Sequence, residues 1–186
     1  MSHPPAVALL RGINVGGKNI LPMKSLTELF HQAGAEDIKT YIQSGNVVFR
    51  AAHPDKIATK VRAKILTDFS FKVPVITRSA AELATTVAAN PFLQSGIDPS
   101  LLHVMFLADQ SSPELIAKLD PSHSSPDEFA LIGRDLYLHL PNGAARTKLT
   151  TAYFDATLKT TGTQRNWRTV LTLATMLGLP PAQQNS

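Results

Sequence analysis

The chain contains no cysteine, a single tryptophan and no long apolar run. Without cysteine there is no disulfide framework, no thiolate nucleophile and no cysteine-ligated zinc. Such a composition suits a reducing compartment. The longest apolar run near the N-terminus, Ala6-Val7-Ala8-Leu9-Leu10, ends at Arg11. It is too short for a signal-peptide core or a membrane span. The expectation is a cytoplasmic protein with no membrane partner. Catalytic spacings are missing too. The glycine-rich stretch after Leu10 has neither P-loop spacing nor a dinucleotide fingerprint. Ser44 does not stand in a Gly-x-Ser-x-Gly elbow. His31, His53, His103, His123 and His139 show no carboxylate pairing at metal-ligand spacing. No metal and no cofactor is expected, and no general acid and base are specified.

What is present is 186 residues, 44% of them hydrophobic, enough to fill a core and exclude wholesale disorder. That length fits one compact domain or two small ones. The formal charge of +4 conceals a division along the chain. Residues 1–78 carry 11 Lys/Arg against 5 Asp/Glu, residues 79–147 carry 3 against 8, and residues 148–186 carry 4 against 1. Such asymmetry can mark an anionic partner for the basic parts. For Lys56, Lys60, Arg62 and Lys64 a solvated helix face is explanation enough.

Periodicity orders the first part as strand, helix, strand, strand, helix, strand. Pro5 to Arg11 reads as a buried strand running into the loop Gly12 to Asn19. Pro22 to Ala33 reads as a helix, with Gly34 as its stop. Ile38 to Gln43 alternates as a strand does, Ser44-Gly45-Asn46 is a turn, and Val47 to Phe49 returns. Residues 54–69 carry apolar side chains at helical spacing, and Lys72 to Arg78 is a short strand placed at an edge by Pro74. The second part partly repeats this. A strand at Leu101 to Ala108, a helix at Pro113 to Leu119, a hairpin around Gly133-Arg134 and helices at Lys148 to Thr160 and Trp167 to Leu177 are expected. The fold class is therefore α+β, with two related ferredoxin-like halves, βαββαβ then βαββαα, in one compact unit. The halves are residues 1–78 and 101–179, joined by a helix and loop at 79–100 and followed by a frayed tail at 180–186.

In a ferredoxin-like half the first two strands are parallel, so the loop after the first and the hairpin after the second must converge. The first supplies Arg11, Asn14, Gly16, Gly17, Lys18 and Asn19; the second supplies Gln43, Ser44, Gly45 and Asn46. Convergent amides, a hydroxyl, backbone N–H groups and two cations suit an oxyanion or phosphate. The same glycines and asparagines equally suit turns, and Gln43 and Asn46 could simply satisfy buried backbone groups. A second candidate is Thr163 to Thr169, opening the last helix. Asn166 or Thr163 can cap it, and Arg165 and Arg168 can hold an anion. Trp167 suits a core anchor better than a stacking platform. Arg146 and Lys148 follow the Pro141-Asn-Gly-Ala-Ala loop, which could fold over a ligand.

At Leu10-Arg-Gly-Ile-Asn-Val-Gly-Gly-Lys-Asn19, Thr40-Tyr-Ile-Gln-Ser-Gly-Asn46 and Arg165-Asn-Trp167 the sequence resembles a bacterial family, domain-of-unknown-function family 1697. The likeness covers nearly the whole chain and includes Asn90-Pro91-Phe92 and Lys148 to Phe154. The family's last motif usually reads Ala-Thr-Thr-Arg-Asn-Trp-Asn-Thr; here Gly162, Gln164 and Arg168 replace its Ala, second Thr and last Asn. The resemblance implies a duplicated ferredoxin-like architecture and supplies no activity. The leading functional expectation is a module binding an anionic ligand, a nucleotide-like metabolite or nucleic acid. Its ligand-binding residues would be Arg11, Asn14, Gly16, Gly17, Lys18, Gln43, Ser44, Asn46, Arg165 and Asn166. An RRM-type RNA mode is weak, because the return strand offers only Phe49. The alternatives are a small enzyme of phosphoryl or acyl transfer using Ser44 and Lys18, and a structural or interaction module without ligand. The oligomeric state is left open.

Overall fold

A strand that is apolar throughout can be buried on both faces, and Pro5–Leu10 (β1) is such a strand: Ala6 to Leu10 are all 0% exposed. The structure is a computed structural model; it describes residues 3–93 and 96–180. After β1 come α1 (Met23–Ala33), β2 (Glu36–Tyr41), β3 (Asn46–Arg50), α2 (Pro54–Phe69) and β4 (Val75–Ser79). The strands form an antiparallel sheet in the order β2-β3-β1-β4. β4 is thus an edge strand, where the missing N–H of Pro74 costs the ladder nothing. α1 follows Pro22 and stops at Gly34, whose φ of 98° turns its N–H back onto the carbonyls of His31 and Phe30. Leu26, Leu29 and Phe30 of α1 and Ile57, Val61 and Ile65 of α2 pack with Ala6, Ala8, Leu10, Val47 and Phe49 into one core.

The chain divides into two compact units, one reaching to Ala84 and including Leu173–Pro180, the other Thr85–Thr172. After α3 (Ala80–Ala88) the second sheet is built from β5 (Leu102–Leu107), α4 (Pro113–Ile116), β6 (Glu128–Ile132), β7 (Asp135–His139), α5 (Thr151–Leu158) and β8 (Gly162–Asn166). Its order, β6-β7-β5-β8, repeats the first. Its core gathers Met105 and Leu107 of β5, Leu136 and Leu138 of β7, and Phe154 and Leu158 of α5. α6 (Trp167–Met176) follows β8 as α3 follows β4. Among the described residues no helix is long and apolar enough to cross a membrane.

One element corrects the sequence reading. The second half does not end βαββαα: a strand, β8, precedes α6. Gly162-Thr-Gln-Arg-Asn166 has no alternation and little β-branched content, so nothing local marks it as a strand. Tertiary pairing makes it one, with Gly162 opposite Leu107 and Arg165 opposite Val104. A Cβ on Gly162 would stand 2.9 Å from Met105 Cγ, so a glycine here lets β8 lie against Met105 without displacing it. α5 also starts later than expected, because Thr150 caps it by accepting the Tyr153 N–H at 3.2 Å. Residues 181–186 of the expected tail lie outside the described residues.

The two halves share register as well as order. Val7 stands opposite Val48 and Arg78, and Val104 opposite Tyr137 and Arg165. The residue ending the first strand donates its N–H to the hairpin in both: Leu10 to the Gly45 carbonyl and Leu107 to the Arg134 carbonyl, each at 2.8 Å. Their loops differ. Residues 11–22 join β1 to α1, where 108–112 join β5 to α4. Residues 42–45 close the β2–β3 hairpin, where 133–134 close β6–β7.

Candidate functional site

Residues 11–22 leave the first sheet as a finger anchored at both ends. Ile13 and Leu21, 1% and 0% exposed, belong to the core. Between them, asparagines close the base. The Asn14 N–H donates to the Asn19 carbonyl (3.1 Å), and Asn19 Nδ2 donates to the Gly12 carbonyl (2.9 Å). Asn14 Oδ1 accepts the Leu21 N–H (2.8 Å) while its Nδ2 donates to the Leu21 carbonyl (3.0 Å). Both asparagines have positive φ, 55° and 50°, a conformation their short polar side chains tolerate. The tip is the tight turn Val15-Gly16-Gly17-Lys18, closed by the Lys18 N–H on the Val15 carbonyl at 3.0 Å. Gly16 and Gly17 have φ of 57° and 74°, the pair of left-handed residues that a type I′ turn requires.

The β2–β3 hairpin meets the base of this finger. Asn14 Nδ2 also donates to the Gln43 carbonyl at 3.0 Å, and the Leu10 N–H reaches the Gly45 carbonyl. Gly45, at φ 80°, packs so closely that a Cβ would lie 2.7 Å from Leu10 Cβ. Asn46 is fully buried and donates from Nδ2 to the Tyr41 carbonyl (3.1 Å) and to Ser44 Oγ (3.0 Å). Asn14, Ser44 and Asn46 thus hold the loops in shape.

The exposed groups are different ones. Gly16, Gly17, Lys18 and Gln43 are all exposed. The Lys18 and Gln43 side chains, and the Gly16 and Gly17 N–H groups, hydrogen-bond to no described residue. Arg11 sits half-buried at the base, its backbone N–H on the Pro74 carbonyl at 3.1 Å. Val15, Ile20 and Ile42 add apolar surface at 63%, 57% and 53% exposure. The sequence reads Ile42 as a strand residue. The strand ends at Tyr41, and Ile42 turns with φ 48°, a costly conformation for a β-branched side chain.

Arg165 and Asn166 belong to the second unit. Arg165 is 9% exposed, and its guanidinium donates to Thr163 Oγ1 (2.8 Å) and the Gln164 carbonyl (2.7 Å). Burial pushes its pKa down to about 10, which leaves it charged at neutral pH. Asn166 Oδ1 accepts the Thr169 N–H at 2.8 Å and so caps α6, and Trp167 is 2% exposed, a core residue. The first unit has a counterpart that sequence reasoning missed. Arg78 is 2% exposed and donates to the Thr77 carbonyl at 2.9 Å, and Ser79 with Glu82 forms a capping box at α3. Among the described residues no three His, Asp or Glu side chains group as a metal site.

A duplicated, antiparallel α+β frame with one elaborated sheet edge is the class these observations define. Residues 4–137 match the family described as "Protein of unknown function (DUF1697)", and the chain belongs to that family. The matched span includes both loops of the elaborated edge. Among solved structures the fold is similar to that of the conserved bacterial protein SP0830 from Streptococcus pneumoniae. The TM-score is 0.73 at 20% identity, covering 96% of this chain and 99% of that one. No curated protein matches the chain.

Proposed function

We propose that the chain is a binding protein for an anionic small molecule, nucleotide-like or otherwise phosphorylated, held by the finger and the β2–β3 hairpin of the first unit. One observation carries this reading. The second half closes the same crossover with residues 108–112 and the same hairpin with 133–134, so the frame does not need the longer loops at 11–22 and 42–45. The extra residues are the ones that present unspent donors: the Lys18 ammonium, the Gly16 and Gly17 N–H groups and the Gln43 amide. Lys18 and Arg11 supply charge to an anion, and the glycine N–H groups approach it without side chains in the way. Val15, Ile20 and Ile42 offer apolar surface to the rest of the ligand. A single cation at the finger tip favours a small molecule over a polynucleotide, whose affinity rests on several phosphate contacts.

A thermal-shift panel of nucleotides, phosphosugars and carboxylic acids tests this. A ligand at about 100 times its Kd adds about 2.7 kcal/mol, a shift of several degrees. At least one class is expected to stabilise the wild type, with the shift lost in Lys18→Ala and reduced in Gln43→Ala. Both side chains are exposed, so the unliganded variants should melt with the wild type. A flat response across the panel, or a shift that persists in Lys18→Ala, contradicts the reading. Tight binding of single-stranded nucleic acid that weakens steeply with salt replaces the small molecule by a polynucleotide.

A further inference from the structure

The second unit has a polar pocket of about 460 Å³, lined by residues 122–127 together with Asn142, Arg146 and Lys148. Its charge runs against its surroundings. Residues 79–147 carry only 3 Lys/Arg against 8 Asp/Glu, and one of the three, Arg134, donates to the Ala108 carbonyl at 3.0 Å. Arg146 and Lys148 nonetheless stand at the same pocket, and their side chains hydrogen-bond to no described residue.

The walls are fixed by their own bonds. Ser124 Oγ donates to Asp127 Oδ2 at 2.6 Å and accepts the Lys148 N–H at 2.9 Å, tying the two loops together. Asp127, the carboxylate of the lining, is 6% exposed and is occupied by that serine. Ser122 Oγ donates to Asp120 Oδ1 at 2.7 Å. The His123 ring stacks on Tyr153 at 3.9 Å and 8°, and the Tyr153 hydroxyl accepts the Asp120 N–H at 3.1 Å. What is left over is Ser125, Asn142, the His123 ring edge, Arg146 and Lys148, and all of these can donate hydrogen bonds.

We propose that this pocket binds a small phosphomonoester, with Arg146 and Lys148 on the phosphate and Asn142, Ser125 and His123 on the hydroxyl-bearing remainder. A dianion calls for two cations, and a guanidinium beside an ammonium pairs a planar fork with a point charge. The volume falls in the range of small-molecule sites and exceeds what inorganic phosphate fills. This site is independent of the finger in the first unit.

Calorimetric titration of the full chain with ribose 5-phosphate, adenosine monophosphate, ribose and inorganic phosphate tests it. A phosphomonoester is expected to bind more tightly than about 1 mM, with ribose silent and inorganic phosphate at least about tenfold weaker. Arg146→Ala with Lys148→Ala should weaken that binding by about tenfold or more, while Lys18→Ala leaves it intact. Both cations are exposed, so an unchanged melting temperature should confirm that the double variant folds. Absence of binding by either phosphomonoester overturns the proposal. So does binding that Lys18→Ala abolishes and the double variant keeps, which would leave the finger as the anion site. Loss confined to the double variant, with none in Lys18→Ala, supports the pocket even if the finger proves empty. A single-stranded oligonucleotide that outcompetes both phosphomonoesters at Arg146 and Lys148 overturns the small-molecule class.

Discussion

Arg78 and Arg165 hold the same place in the two halves of the chain. Each is the last residue but one of an edge strand, each stands opposite a valine of the strand beside it, Val7 or Val104, and each donates to the carbonyl of the residue before it. Each is followed by a residue that caps the next helix, Ser79 for α3 and Asn166 for α6. Repetition in both halves points to a structural duty for the arginine of the Arg-Asn-Trp motif.

Arg165→Ala should accordingly destabilise the protein by about 2 kcal/mol, the range for losing hydrogen bonds made by a buried charged group. Arg165→Lys should recover only part of that, because an ammonium cannot reproduce the guanidinium fork. Urea denaturation checks both. A change within about 0.5 kcal/mol for the alanine variant would return Arg165 to the pool of ligand-binding candidates.

Two glycines of the elaborated edge should respond differently to alanine. Gly45→Ala meets Leu10 Cβ at 2.7 Å and also carries φ 80°, so overpacking and backbone strain combine to about 2–3 kcal/mol. Gly17→Ala has φ 74° but nothing within 4 Å of the new methyl, leaving about 1 kcal/mol of backbone strain. Equal losses in thermal melts would mean that the contact of Gly45 with Leu10 carries no weight.

Ile42 is strained and exposed at once, and sites of that kind are often kept for binding. Ile42→Gly should stabilise the free protein by about 1 kcal/mol by relieving the left-handed cost. The same change should weaken ligand binding at the finger, since it removes apolar surface there. Stability and affinity are expected to move in opposite directions.

His103 gives the stability a pH dependence. Burial holds its pKa below the ordinary 6.5, against a smaller opposing effect of a backbone hydrogen bond at Leu101. The unfolded chain therefore takes up the proton first as pH falls. Its contribution to stability is fully present above pH 6.5 and is lost as pH drops through the lower folded value. Its Nδ1 is buried with no hydrogen bond to a described residue, and the Leu101 backbone relieves the charged ring only in part. In His103→Gln the loss of stability below pH 6.5 should be smaller, read from denaturation midpoints on either side; an unchanged profile would contradict this.

Much of the fold is legible from local pattern. The unbroken apolar run Ala6 to Leu10 marks a central strand, Pro74 an edge, and Gly34 a helix stop. The convergence of the two polar loops follows from the topology and is visible in the bond from Asn14 to the Gln43 carbonyl. β8 is not legible, because a strand of Gly, Thr, Gln, Arg and Asn owes its conformation to Val104 and Leu107 across the ladder. The equivalence of Arg78 and Arg165 is hidden for a similar reason: Val-Ile-Thr-Arg-Ser and Gly-Thr-Gln-Arg-Asn share only the arginine. Nor can composition separate the asparagines that build the finger from the Lys18 and Gln43 side chains it leaves unspent. That division depends on which side chains the backbone consumes.

The amide resonances of Gly16, Gly17 and Lys18 offer the most direct reading of the finger's role. Nitrogen-15 NMR spectra of the full chain, recorded during titration with adenosine monophosphate, a phosphosugar and a carboxylic acid, follow them one by one. Binding at the finger predicts saturable shifts of these three amides and of Gln43 with at least one of the compounds, absent from Lys18→Ala. If all four stay in place at saturating concentrations of every compound, the finger is not an anion site, and its length needs another cause.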